Sequence, residues 1–306
     1  MQIPVDVKAW IRGVFRACND RTSDALMNMP NTHEGALDLA FISEAARFSA
    51  PVRFPSDWIV RIDTHFLGGR RHFRNWEIAD IGVLIVFRRG GKLLKSKIAL
   101  LQSKRLYPAE HDYEEDEQED YEIGFARLFR GDARFESITE PRVFAFVDGS
   151  RYQALKVGDG QYQAVREYES THAIPVYYLL YHPGRMPYET RIPRVGSPNG
   201  EGATEIGARV LPAESIRQAL SAQSNGYSPH YSDLKDLCPE PSGPSRSPPG
   251  WRIEEFIADL ALDCKVGHVA RKESDRGLSM VFNRRSGPIS AAIAITFDAP
   301  PGAGGD

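Results

Sequence analysis

The chain has 306 residues, 42% of them hydrophobic and 26% charged, and a formal net charge of −3. That is the composition of an ordinary globular protein with room for one large domain or a domain with an appendage. No apolar run reaches the roughly 18 residues a membrane helix needs, no basic region followed by an apolar core opens the chain, and Cys18, Cys238 and Cys264 lie far apart, without zinc-ligand spacing. The expectation is a cytoplasmic protein without membrane contact, whose cysteines act as small hydrophobes.

In residues 1–30, Val7, Trp10, Ile11, Val14 and Phe15 recur at helical spacing and predict a packing helix over 5–17. Asn19-Asp20 and Thr22-Ser23 read as turn or cap residues. Asn31-Thr32 caps a second helix over about 33–48, with Leu37, Phe41, Ala45 and Phe48 as its buried stripe. Glu34 and Glu44 stand at the two ends of that stripe. Glu34, in the first turn, is the candidate to face a site; fraying of both acids into solvent is the plainer alternative. Residues 57–66 alternate as a strand does, with Asp63 and His65 on one face as supporting polar groups.

The net charge hides an asymmetry. Residues 67–105 hold ten Arg or Lys against two acids, Glu77 and Asp80, whereas residues 110–122 hold nine acids and no base. A basic block of this kind suits a phosphate-bearing polymer, although such blocks are commonly solvated faces. Arg70, Arg71 and Arg74, in a glycine-bearing loop, are candidate phosphate contacts.

Two apolar runs follow, 79–88 and 95–105, joined at Gly90-Gly91. A two-residue turn alone sets Asp80 opposite Leu101. One extra residue, as a three-residue loop or a bulge, sets Asp80 opposite Gln102. Only the second register gathers Asp80, Gln102 and Lys104 on one face. Both faces of these strands are apolar over much of their length, so the sheet is covered on both sides. Asp80 then offers a hard anionic oxygen to a divalent cation, Gln102 a neutral one, and Lys104 a positive charge beside a phosphodiester. The missing second carboxylate calls for another acid, Glu34 or Glu77.

Beyond the hairpin, the acidic run leads into a helix near 113–130. Residues 142–147 read as a strand, 152–171 as a helix interrupted at Gly158-Asp159-Gly160, 174–181 as a strand, 209–211 as a strand and 212–222 as a helix. Residues 239–250, rich in Pro, Ser and Gly, read as a linker. The segment 251–263 has helical spacing, and 278–282 and 290–297 read as two strands about an Arg284-Arg285-Ser286-Gly287 turn. Residues 299–306 form a flexible tail.

The order of helix, three strands, helix and strand over roughly 30–182 resembles the αβββαβ core of the PD-(D/E)XK nuclease superfamily. Asp80 followed by Gln102-Ser103-Lys104 is similar to that family's active-site signature in its Gln-x-Lys variant, found in Mrr-type restriction endonucleases and nuclease domains of bacterial anti-phage effectors. Residues 183–306 match no pattern of this kind. The resemblance implies an α/β (α+β) restriction-endonuclease-like fold, with a mixed central sheet flanked by helices. Its domain spans 31–238 and turns loop-rich from about 183, and a small α+β appendage at 251–298 docks on it. The implied activity is Mg²⁺- or Mn²⁺-dependent cleavage of DNA, with RNA as the alternative substrate, in a defence or restriction system. An activating protein partner or small effector and a homodimer are expected with it. Asp80, Gln102, Lys104 and Glu34 would be catalytic, Asp80, Gln102 and Glu77 would hold the metal, and Arg70, Arg71, Arg74 and Arg105 would contact nucleic acid. The competing expectation is a catalytically inactive module of the same fold, used for nucleic-acid binding or complex assembly.

Overall fold

The computed structural model describes residues 2–67, 73, 76–109, 142–192, 204–237, 250–263, 265–272, 274–282 and 287–302. Its centre is a mixed sheet with helices on both faces, in the order β1-β2-β13-β3-β4-β6-β10-β11, with β12 paired to β4. These strands are β1 (Val52–Arg53), β2 (Ile59–Phe66), β3 (Ala79–Arg89), β4 (Lys92–Arg105), β6 (Val176–Tyr181), β10 (Arg209–Pro212), β11 (Trp251–Arg252), β12 (His268–Ala270) and β13 (Ile289–Ala299). Strand β5 (Arg142–Phe146) pairs instead with β8 (Tyr188–Ile192), and β7 (Arg185–Met186) with β9 (Thr204–Glu205). No helix among the described residues is long and apolar enough to cross a membrane.

Helices α1 (Val5–Asn28) and α2 (Glu34–Ala46) cover one face. Their Val7, Ile11, Phe15, Leu37 and Phe41 pack with Ile81, Val83, Ile85, Leu101 and Tyr181 of the sheet. Helix α3 (Gly160–His172) and helix α4 (Ala213–Ala219) cover the other, where Val165, Tyr168 and Ile216 meet Ile98, Leu100, Tyr178 and Leu180. Successive side chains of a strand point to opposite faces, so β4 and β6 feed both clusters, and Ile98–Leu101 and Val176–Tyr181 are apolar or aromatic at every position.

Helix α1 runs eleven residues past its expected end. Asn19, Thr22 and Ser23 are buried helical residues, and tertiary hydrogen bonds explain why the turn signal failed. Asn19 donates to Glu254 (3.1 Å) and accepts from the Ala208 backbone N–H (2.6 Å). Thr22 donates back to Cys18 and Asn19 carbonyls, as hydroxyls inside helices do. Helix α3 begins at Gly160, capped by Asp159, which accepts from the Tyr162 N–H at 2.7 Å.

Two C-terminal expectations are corrected. Residues Arg276–Phe282 are a helix, α5, not a strand; Asp275 caps it by accepting from Leu278 N–H at 3.1 Å, a local bond that outweighs the apolar alternation. Strand β13 is no part of an appendage. It lies between β2 and β3, antiparallel to the first and parallel to the second, and so separates them. The helix expected near 113–130, the acidic run at 110–122 and residues 239–249 of the linker lie outside the described residues.

Candidate functional site

The β3–β4 hairpin turns on Gly90 and Gly91, both at positive φ (55° and 76°), as a two-residue turn of this hand requires. Arg89 pairs with Lys92 and Arg88 with Leu93, but Phe87 pairs with Lys95. One bulge has shifted the register, and from there the ladder runs to Ile81 opposite Leu101. Asp80 therefore faces Gln102, and the Gln102 amide Nε2 donates to Asp80 Oδ2 at 2.6 Å.

Strand β4 continues past the end of that ladder, leaving N–H groups that β3 no longer pairs. Two carboxylates take them. Ser103 N–H donates to Asp80 Oδ2 (2.6 Å), and Arg105 N–H donates to Glu34 Oε1 (3.1 Å). Glu34 is the first residue of α2, where a carboxylate also meets the positive end of the helix dipole. Its other oxygen lies 3.3 Å from the Lys104 ammonium. Four residues on, Asp38 accepts from Ser103 Oγ (2.5 Å) and Tyr181 OH (2.8 Å). Helix α2 thus braces β4 and β6 where they leave the sheet.

The balance of charge is uneven. Burial pushes the Asp80 carboxyl well up, with further repulsion from Asp38, Glu34 and Glu77, against which Lys104 pulls down. Burial also raises Asp38, to about 7, against the bonds from Ser103 and Tyr181. Burial disfavours the Lys104 ammonium, but Glu34, Asp80 and Asp38 outweigh it, so its pKa lies above the usual lysine value. Three acids, Glu34, Asp80 and Asp38, act on the one Lys104 ammonium. Gln102 Oε1, meanwhile, is buried and accepts no hydrogen bond.

These features bear on a divalent cation. The amide orientation that gives Nε2 to Asp80 strands Oε1; the flipped orientation would set Oε1 beside a carboxylate oxygen, which a cation between them would favour. Mg²⁺ commonly takes one or two protein oxygens and completes its shell with water and substrate phosphate. Asp80 and Gln102 fit such a set. Among the described residues no group of three or more His, Cys, Asp and Glu is arranged to hold a metal ion, so Asp80 is not part of a ready-made cluster of such ligands. Glu77 repels Asp80 from the approach to β3, and its carbonyl accepts from Gln161 at 3.1 Å.

Arg105 does not serve as a nucleic-acid contact. It is 1% exposed, its guanidinium donates to the carbonyls of Pro30, Thr32 and Leu106, and it lies over the Tyr107 ring at 3.9 Å. Arg70, Arg71 and Arg74 lie outside the described residues. Asp63 is ion-paired with Arg61 at 2.8 Å, and β13 separates its strand from β3, so neither it nor the exposed His65 supports Asp80. Glu44 pairs with Arg47 at the far end of α2. The sequence reading missed Asp38, Ser103 and Tyr181. The i, i+4 spacing of Glu34 and Asp38 was the available signal. No family model, curated protein or solved structure matches the chain.

Proposed function

We propose that the chain is a metal-dependent nuclease, with Asp80 and Gln102 as protein ligands of Mg²⁺ or Mn²⁺ and Lys104 as the fixed cation beside the scissile phosphate. The observation that carries this reading is the Asp80–Gln102 pair, directly opposed on a bulged hairpin, with the Gln102 carbonyl oxygen buried and unbonded amid an excess of acids. A bound divalent cation would polarise the phosphoryl oxygens and lower the pKa of an attacking water. Lys104 is held protonated, so it stabilises negative charge developing on the phosphoryl group and does not act as a base. Glu34 sets where that ammonium stands. Asp38 holds Ser103, and through it the Gln102-Ser103-Lys104 segment, against α2. A restriction-endonuclease-like core, DNA as substrate and a role in bacterial defence follow from the resemblance of Asp80 and Gln102-Ser103-Lys104 to the PD-(D/E)XK signature.

A second reading has its own observation. The Asp80, Asp38 and Glu34 carboxylates already accept from Gln102, Ser103, Tyr181, Lys104 and the Arg105 N–H, as suits an inactive module for nucleic-acid binding or assembly. Incubation of supercoiled plasmid with the wild type and with Lys104→Ala, both checked for folding by circular dichroism, separates the two. The nuclease reading expects nicking or linearisation with Mg²⁺ or Mn²⁺, none in EDTA, and a loss of about a hundredfold or more in the folded variant. Intact plasmid throughout, or equal cutting by the variant, favours the inactive module or a different site.

A further inference from the structure

Trp76 stands four residues before Asp80, on the chain that enters β3, and is 42% exposed. The other tryptophans are engaged: Trp58 is 2% exposed, Trp10 packs against Phe48 and Phe54, and Trp251 against Phe256. The Trp76 ring is nonetheless held in place. Phe73 and Trp76 exchange backbone hydrogen bonds of 2.8 and 3.0 Å. The indole lies so close on the first residue of α3 that a Cβ on Gly160 would stand 2.3 Å from its Cζ2. The next residue, Glu77, is tied to the same helix through the Gln161 amide. From Trp76 to Asp80 an extended chain spans at most about 13 Å, within reach of a nucleotide flanking a phosphate at Asp80.

We propose that Trp76 is a base-stacking platform that takes an unpaired nucleobase of the strand being cut, so that the substrate is single-stranded or frayed nucleic acid. The proposal rests on the nuclease reading for what lies at Asp80. A pinned indole loses little freedom on stacking and presents a wide π face, and every base has a matching one. Bases within a duplex are already stacked on their neighbours, so the platform discriminates by strandedness and not by sequence.

The test is tryptophan emission of the wild-type protein in EDTA, titrated with an oligothymidylate and with a blunt duplex. Quenching is expected with the single strand and not with the duplex. Trp76→Phe should lose most of the quench and keep affinity within about threefold, while Trp76→Ala should bind about tenfold or more weakly. Gly160→Ala, which displaces the ring, should weaken binding too. Unchanged affinity in Trp76→Ala, a quench that survives in Trp76→Phe, or equal quenching by duplex overturns the proposal. The two readings fail separately. Quenching with no cleavage of plasmid or of single strands in Mg²⁺ or Mn²⁺ keeps the platform and removes the nuclease, whereas cleavage of single strands by Trp76→Ala with unchanged KM keeps the nuclease and removes the platform.

Discussion

Asp38 and His182 titrate in opposite senses across the same pH range, and the difference is measurable. Asp38, raised to about 7 by burial and by Glu34 against the pull of Lys104, keeps in the folded chain a proton that the unfolded chain loses above about 4. Its contribution to stability is full at low pH and is lost as pH rises to about 7. His182 is buried and lowered to about 3, its ring held between Tyr152 OH and the Gly207 carbonyl. The unfolded chain takes up that proton below about 6.5, so stability falls as pH falls. Each slope is about 1.4 kcal/mol per pH unit, and between about pH 6.5 and 4 the two oppose one another. Asp38→Asn keeps the oxygen that Ser103 and Tyr181 bond to, so it should be more stable than wild type at pH 7.5. The variant lacks the Asp38 slope, so on acidification from about pH 7 to 4 it should gain less stability, or lose more, than wild type. Urea midpoints across that range check this; parallel curves would contradict it. The residues legible in the sequence were those fixed by strand period and hairpin arithmetic: Asp80, Gln102 and Lys104. Ser103 points to the opposite face, and its role exists only because Asp38 and Tyr181, distant in sequence, meet it there.

At the scale of elements, the ends of β4 and α2 are bound together by Arg105. Its stem and guanidinium fill the space beneath the 30–32 turn. Arg105→Met keeps much of the volume but leaves the Pro30 and Thr32 carbonyls buried without donors, a cost of about 2–4 kcal/mol. Denaturant unfolding should show that loss, and a variant as stable as wild type would contradict it. From sequence, this arginine is indistinguishable from the basic residues before it, because burial of a charge depends on partners 73 and 75 positions away. The hairpin was readable because turn and strands are adjacent, and the remaining ambiguity, a bulge or none, came down to one residue. Helix α5 was misread because its alternating pattern fits a strand as well. The Asp275 cap decides it.

For the whole molecule, the decisive strand is the last. Alternation marked 290–297 as a strand, but period alone names no partner, and β13 finds its partners more than 200 positions earlier, at β2 and β3. It is central to the sheet, with Ile289, Ile293, Ile295 and Phe297 each 0% exposed. A chain ending at residue 250 should therefore fail to fold, because β3 loses a neighbour over its whole length and both core layers open. Circular dichroism and urea unfolding of that fragment would show no cooperative transition. A soluble fragment with a wild-type midpoint would restore the picture of a separable appendage.

The central claim is that Asp80 and Gln102 hold a divalent cation, and Mn²⁺ binding followed by water-proton relaxation tests it without recourse to activity. One site per chain is expected in the wild type. Asp80→Asn should weaken it by about tenfold to a hundredfold, and Gln102→Glu, which adds a charged ligand, should tighten it by about tenfold. Absence of stoichiometric Mn²⁺ binding by the folded protein, or binding unchanged in Asp80→Asn, would contradict the account.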